Sequence, residues 1–320
     1  MRYKFKCNKI SKLCAVAVLS IGLAACASND QANDKQSAKQ KNDVRQVTDV
    51  MGHEMKVPTK PKRIVASYLE DYLAALDVKP VAQWSVSNGV QDYLQDDYLQ
   101  GVPTISYDLP YEAVQKFKPD LVLMNSSSMV EGGKYDQYSK IAPTYVAAKE
   151  QDNDWKKVLL EVGKVLDKED KAKQVLTDYE KYAKDAKAKL EDKGEKPSAA
   201  AIWLTNNKFF IVSKNLSSGD VLYNDLDLKA PKIVDEISAK STNSWNEISL
   251  EKLAELDADY IFLINYDKQG ASELDNKLWK NLPAVKNNQV AEIPSTSSWL
   301  YTGPIANKAI IDDVLKTIDK

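Results

Sequence analysis

The sequence predicts an α/β fold of two α/β lobes joined by one long α-helix, with a ligand cleft between the lobes. Three observations predict it. Short apolar runs alternate with amphipathic stretches, one long charged helix interrupts them, and one pattern occurs on both sides of that helix. The chain has 320 residues, room for about two domains. Its balance of 28% charged and 43% hydrophobic residues excludes a wholly disordered chain, a collagen-like fibre and a multi-spanning membrane protein.

The elements follow in chain order. Residues 47–58 (VTDVMGHEMKVP) place Gly52 between two short alternating runs, the mark of a hairpin. Ile64–Ser67 reads as a strand, Tyr68–Leu76 as a helix carrying Leu69, Leu73 and Leu76, and Val81–Trp84 as a second strand. Leu121–Met124 is continuously apolar, as in a strand covered on both faces. From Lys168 to Glu191, Val175, Tyr179, Tyr182, Ala186 and Leu190 recur three or four residues apart, one apolar stripe on a charged rod. Gly194 and Pro197 stop that helix. Strands then resume at Ala199–Leu204, Phe209–Val212, Tyr260–Ile264 and Val290–Ile293, and a closing helix runs over Pro304–Ile318 with proline in its first turn.

The repeated pattern is specific. Residues 112–123 (EAVQKFKPDLVL) match 251–263 (EKLAELDADYIFL). Each is a glutamate, a short amphipathic helix, an aspartate eight residues on and a buried strand. A second pair matches 73–80 (LAALDVKP) with 223–230 (YNDLDLKA). Two similar lobes flanking a long helix make the geometry of a ligand clamp.

The amino-terminal segment reads as an address. Arg2, Lys4, Lys6, Lys9 and Lys12 precede an apolar stretch from Leu13 to Ala25, too short to span a membrane and shaped as a secretory signal. Leu23-Ala24-Ala25-Cys26 resembles a bacterial lipobox, which implies cleavage before a lipidated Cys26 and a protein anchored by acyl chains. The remaining cysteines, Cys7 and Cys14, lie before that point, so the mature chain can form no internal disulfide. The signal takes five of the 44 basic residues and none of the 46 acidic ones, leaving 39 against 46, a net −7. A negative surface disfavours nucleic acid and anionic lipid headgroups as partners. The expected organisation is signal 1–25, lipidated Cys26 and a solvated tether over 26–46, an N-terminal lobe 47–167, a linker helix 168–192 and a C-terminal lobe 193–320.

One histidine, His53, cannot build a His-rich metal site, and these thiols cannot build a structural zinc site. A Ser/His/Asp hydrolase would have only His53 to use. Gly-x-Ser-x-Gly, His-Glu-x-x-His, Gly-x-Gly-x-x-Gly and phosphate-loop motifs are absent. No enzymatic activity is therefore expected.

Residues 47–58, Pro61-Lys62-Arg63-Ile64-Val65, the two glutamate segments, LWKNLPAV at 278–285 and SWLYTGP at 298–304 together resemble the periplasmic-binding-protein family for iron siderophores, haem and cobalamin. The resemblance covers the mature chain, and within the family it lies nearest the ferric hydroxamate-binding lipoproteins of Gram-positive bacteria. It implies an extracytoplasmic, lipid-anchored monomer that captures an iron(III) siderophore and delivers it to an ABC permease with its ATPase. It also implies that Glu112 and Glu251 dock on permease arginines.

A siderophore already saturates its iron, so the resemblance implies no protein metal ligand and no cofactor. The cleft needs aromatic walls and a few donors. Trp84, Tyr107, Trp203, Trp245, Trp299 and Tyr301 fall at or just after strand ends and are the expected ligand-binding residues. Anionic catecholate or citrate chelates favour forked guanidinium donors. Arg2, Arg45 and Arg63 are the only arginines, none placed for the cleft, which favours a near-neutral hydroxamate; Lys208 and Lys214 could act as point charges. Binders of this group often carry Trp and Arg in the loop before Gly-x-Val-Leu-Tyr, whereas here that loop is 215–219 (NLSSG). The alternatives are haem, with His53, Met124 and Met129 as candidate ligands, cobalamin or a catecholate on the same fold, or a purely adhesive surface lipoprotein.

Overall fold

Parallel strands that carry apolar side chains on both faces need helices on both sides, and this chain supplies them twice. The computed structural model describes residues 43–318 apart from 88, 151, 153, 193, 195 and 268–271; the signal and Cys26 lie outside the described residues. Asn42 onward forms one compact unit.

Strands β1 (Val44–Thr48) and β2 (Glu54–Pro58) pair as an antiparallel hairpin. The hairpin therefore takes in the last residues assigned above to the tether. Parallel strands β3 (Ile64–Ser67), β6 (Leu121–Met124) and β7 (Thr144–Val146) form the N-terminal sheet, beside the parallel pair β4 (Gln83–Ser85) and β5 (Thr104–Ser106). Helices α1 (Glu70–Ala75), α2 (Tyr111–Lys116), α3 (Lys134–Ser139) and α4 (Trp155–Val165) accompany them. Helix α5 (Glu169–Glu191) then leads to the second sheet, ordered β10-β9-β8-β11-β12. Its strands are β8 (Ala199–Thr205), β9 (Lys208–Val212), β10 (Trp245–Ile248), β11 (Tyr260–Asn265) and β12 (Val290–Ile293). The second lobe adds α6 (Lys232–Ser238), α7 (Leu250–Leu253), the short helices α8 (Ser272–Asp275), α9 (Lys277–Lys280) and α10 (Pro283–Lys286), and α11 (Pro304–Ile318).

Side-chain alternation explains the N-terminal layering. Ile64, Ala66, Leu121 and Leu123 face a core shared with α4, α5 and the C-terminal sheet. Val65, Val122 and Met124 face a separate core with Ile105, Val114 and Tyr138. The stripe on α5 buries Tyr179, Ala186 and Leu190, while Val175 and Tyr182 are partly buried against the shared core. The lobes thus share one apolar core, and α5 is packed along its length rather than standing as a bare rod.

The repeats have a physical cause. Asp120, at the entry to β6, accepts the backbone N–H groups of Lys62 and Arg63, each at 2.9 Å, just before its neighbour β3. Asp259, at the entry to β11, accepts the N–H of Ser198 at 2.7 Å, just before its neighbour β8. Each aspartate ties two parallel strands at their starts. In the second pair, Asp77 and Asp227 take the left-handed conformation, φ 55° and 57°, which aspartate tolerates better than most residues.

Tyr68 is not helical, contrary to the sequence expectation. It sits at φ 55° between β3 and α1. A bulky residue held there is a strained exception. Among the described residues no helix is long and apolar enough to cross a membrane.

Candidate ligand-binding cleft

In open α/β sheets, ligands sit beyond the carboxyl ends of parallel strands. Here both lobes turn those ends toward one crevice. Tyr68 follows β3, Asn125 follows β6, Trp203 lies two residues before the end of β8, Tyr266 follows β11, and Tyr301 lies in the segment between β12 and α11. A pocket of about 280 Å³ lies between the lobes, lined by Tyr68, Asn125, Lys149 and Trp155 on one side and by Asn215 and Thr302 on the other.

Aromatic rings run across this crevice. Tyr68 meets Trp84 edge-on at 4.7 Å and Tyr301 at 5.9 Å, and Tyr301 meets Tyr93 at 5.4 Å. On the C-terminal sheet Trp203 lies 6.0 Å from Tyr266, 6.2 Å from Trp245 and 5.0 Å from Phe210. Burial pushes the Tyr301 hydroxyl well above the usual tyrosine range, with the charge of Tyr266 as the next cause. The indole N–H groups of Trp203 and Trp245 are buried without a hydrogen-bond partner. A buried unpaired donor costs stability.

Of the six expected binding residues, Trp84, Trp203, Trp245 and Tyr301 take part in these ring contacts, and none of the six is on the wall of the pocket around Tyr68 and Asn125. Trp84 donates its indole N–H to the Tyr107 carbonyl at 3.0 Å, and Tyr107 is the most exposed large side chain of the set at 56%. Trp299 is a correction. It is fully buried, stacked on Phe262 at 4.7 Å, and donates its indole N–H to Asp313 at 2.8 Å. Its neighbour Tyr301 reaches the crevice because the chain turns between them; Trp299 is a core residue. Sequence reasoning missed Tyr68, Tyr93 and Tyr266. Tyr68 and Tyr266 each stand immediately after a buried parallel strand, and that signal was available.

Charge in the crevice is sparse and mostly negative. Lys149 shares the pocket wall with Glu150, Asp152 and Asp220. Arg45 donates to the Lys164 carbonyl and Arg63 to the carbonyls of Phe117 and Lys118, so neither guanidinium is free for the crevice. Lys208 and Lys214 are paired with Glu247 and Asp235. Among the described residues no cluster of His, Cys, Asp and Glu could hold a metal. His53 bonds Asp49 at 2.9 Å and stacks on Tyr135, and Met124 is fully buried. Neither can reach a ligand in the pocket.

A polar chain ties the crevice to the joint between the lobes. Glu70 accepts the Trp84 N–H at 2.6 Å and the Gln91 side-chain amide at 2.9 Å. Tyr93 donates to Asp71 at 2.8 Å. Asp71 also accepts the N–H groups of Ile305 and Ala306 at 3.0 and 2.8 Å, so a carboxylate from α1 caps the start of α11. Burial raises Glu70 to about 7 and Asp71 to about 6, against the lowering effect of these donors. Gly303, at φ +156°, lies so close that a Cβ there would sit 2.3 Å from the Asp71 carboxylate. Glu112 and Glu251 are both exposed in the first turns of α2 and α7, the helices that lead into β6 and β11.

Two α/β lobes closing on an aromatic crevice define a ligand-binding protein of the clamp type. The family model for periplasmic binding proteins matches residues 65–296, and the chain belongs to that family. It is 30% identical to the probable siderophore-binding lipoprotein YfiY of Bacillus subtilis, over 95% of this chain and 96% of that one. It is 29% identical to the iron(3+)-hydroxamate-binding protein FhuD of the same organism, over 95% of each. The structure of Staphylococcus aureus SirA complexed with staphyloferrin B superposes with a TM-score of 0.69 at 28% identity, covering 86% of this chain and 98% of that one.

Proposed function

We propose that this protein captures an iron(III) siderophore of the hydroxamate class outside the cytoplasmic membrane and delivers it to an ABC permease. In this reading it is a monomer held to the membrane by lipid on Cys26. The aromatic run across both lobes carries the reading. A preassembled chelate needs apolar walls and a few donors rather than ligands to the metal. The indole N–H groups of Trp203 and Trp245 are buried without a partner, and in this reading ligand oxygens take them. The scarcity of cations there supports a neutral or positively charged chelate over catecholate and citrate complexes, and the name of FhuD points the same way, while that of YfiY says siderophore only.

Titration of intrinsic fluorescence against ferrichrome, ferrioxamine, a ferric catecholate, ferric citrate and haemin tests this. Saturable quenching by the hydroxamates alone is the expected result. A stoichiometric Soret band with haemin and no response to any siderophore would overturn it. Glu112 and Glu251 are the proposed permease contacts. The double variant Glu112→Ala with Glu251→Ala is expected to keep its ligand affinity and lose uptake, and normal uptake would remove that assignment.

A further inference from the structure

We infer that the N-terminal lobe carries, at the end opposite the cleft, a basic surface that rests on anionic lipid headgroups. The cleft lies at the carboxyl ends of β3 and β6, and this surface lies at their amino ends. A hollow of about 570 Å³ opens there between the loop entering β3, the turn after α1 and the junction of α4 with α5. Lys60, Lys62, Lys79 and Lys168 line it, with Asp77 and Asp167. Asp77 is neutralised by Lys171 at 2.9 Å, and the Lys79 ammonium donates to the Gln100 carbonyl. Lys60, Lys62 and Lys168 form no ion pair among the described residues. The four lysines of the lining against its two aspartates leave a net of +2, on a mature chain whose overall balance is −7.

The path of the chain supplies the partner. Asp43, the first described residue, accepts both the N–H and the hydroxyl of Thr59, at 2.8 and 2.9 Å. Thr59 is itself on the wall of the hollow. The backbone leading back to Cys26 therefore joins the folded body beside these lysines. Where Cys26 carries lipid, as the proposed function holds, this is the face brought toward the membrane. Tethering raises the effective concentration of the surface, so a weak electrostatic contact is sufficient. A body seated this way holds its cleft outward, toward arriving ligand, and must turn to reach a permease.

The chain from Ala27 onward contains the whole compact unit and no lipid, so it tests the surface apart from the anchor. Mix it at low ionic strength with vesicles of phosphatidylcholine alone or with phosphatidylglycerol, and measure co-sedimentation. Binding to the anionic vesicles alone, lost on adding salt, is expected. Lys60→Glu with Lys62→Glu and Lys168→Glu should lower it roughly tenfold or more, while Lys208→Glu with Lys214→Glu should not. Exclusion from anionic vesicles, as the net charge alone dictates, would overturn the inference. So would equal binding by the triple variant, or displacement by inorganic phosphate but not by chloride at matched ionic strength, which marks a small-anion site. Lipidation is checked separately by membrane partitioning of the full chain and of Cys26→Ser. Loss of the anchor reading leaves the vesicle result standing on its own.

Discussion

Glu70→Gln isolates one buried carboxyl behind the aromatic wall. Glu70 is 1% exposed, and burial raises its folded value to about 7 from an ordinary 4.5, although it accepts two N–H groups. Folding therefore favours its protonated form. Its contribution to stability is complete below 4.5 and is lost as the pH rises through 7. Between pH 5 and pH 8 the linkage amounts to about 2–3 kcal/mol. Glutamine keeps an oxygen for the Trp84 N–H and cannot ionise. Asp71, raised to about 6 from 3.8, acts in the same direction in both proteins. Urea unfolding followed by tryptophan fluorescence at a series of pH values reads the difference. The original protein should lose about 2–3 kcal/mol more than the variant on going from pH 5 to pH 8. Parallel profiles, agreeing to about 0.5 kcal/mol, would refute the argument that Glu70 titrates as a desolvated group.

Trp299→Ala should lower stability by about 3–5 kcal/mol, because it empties the space over Phe262 and leaves Asp313 without its indole donor; an unfolding midpoint close to that of the unmodified protein would return Trp299 to the list of ligand contacts. Trp203→Phe keeps an aromatic wall and deletes one unpaired N–H, so a siderophore titration should show affinity down about tenfold, with the urea midpoint unchanged or raised. Gly303→Ala drives a Cβ into the Asp71 carboxylate and should cost about 2–4 kcal/mol by chemical unfolding, with faster amide exchange at Ile305 and Ala306. An unchanged exchange rate there would show that the α1–α11 contact does not fix the joint.

Strand and helix positions were legible in the sequence because they rest on local periodicity. β3, β6, β12 and α11 have the bounds that hydrophobic runs and the placement of Pro304 predict. The internal repeat was legible too, since Asp120 and Asp259 each serve a neighbouring strand at a fixed spacing from their own. The strands β5, β7 and β10 were missed, because β5 (TIS) and β7 (TYV) are three residues long and β10 (WNEI) has two polar residues at its centre. Composition and the lack of catalytic motifs were fixed by residue identity. Which aromatic rings reach the crevice was decided by the tertiary structure. Trp299 and Tyr301 are two residues apart, yet one lies beneath the sheet and the other contacts Tyr68. The Asp71 cap on α11 spans 234 residues, and the lysine hollow gathers three separate loops. Such contacts join segments far apart in the chain, so no window along the sequence contains both partners, and only packing of the whole fold brings them together.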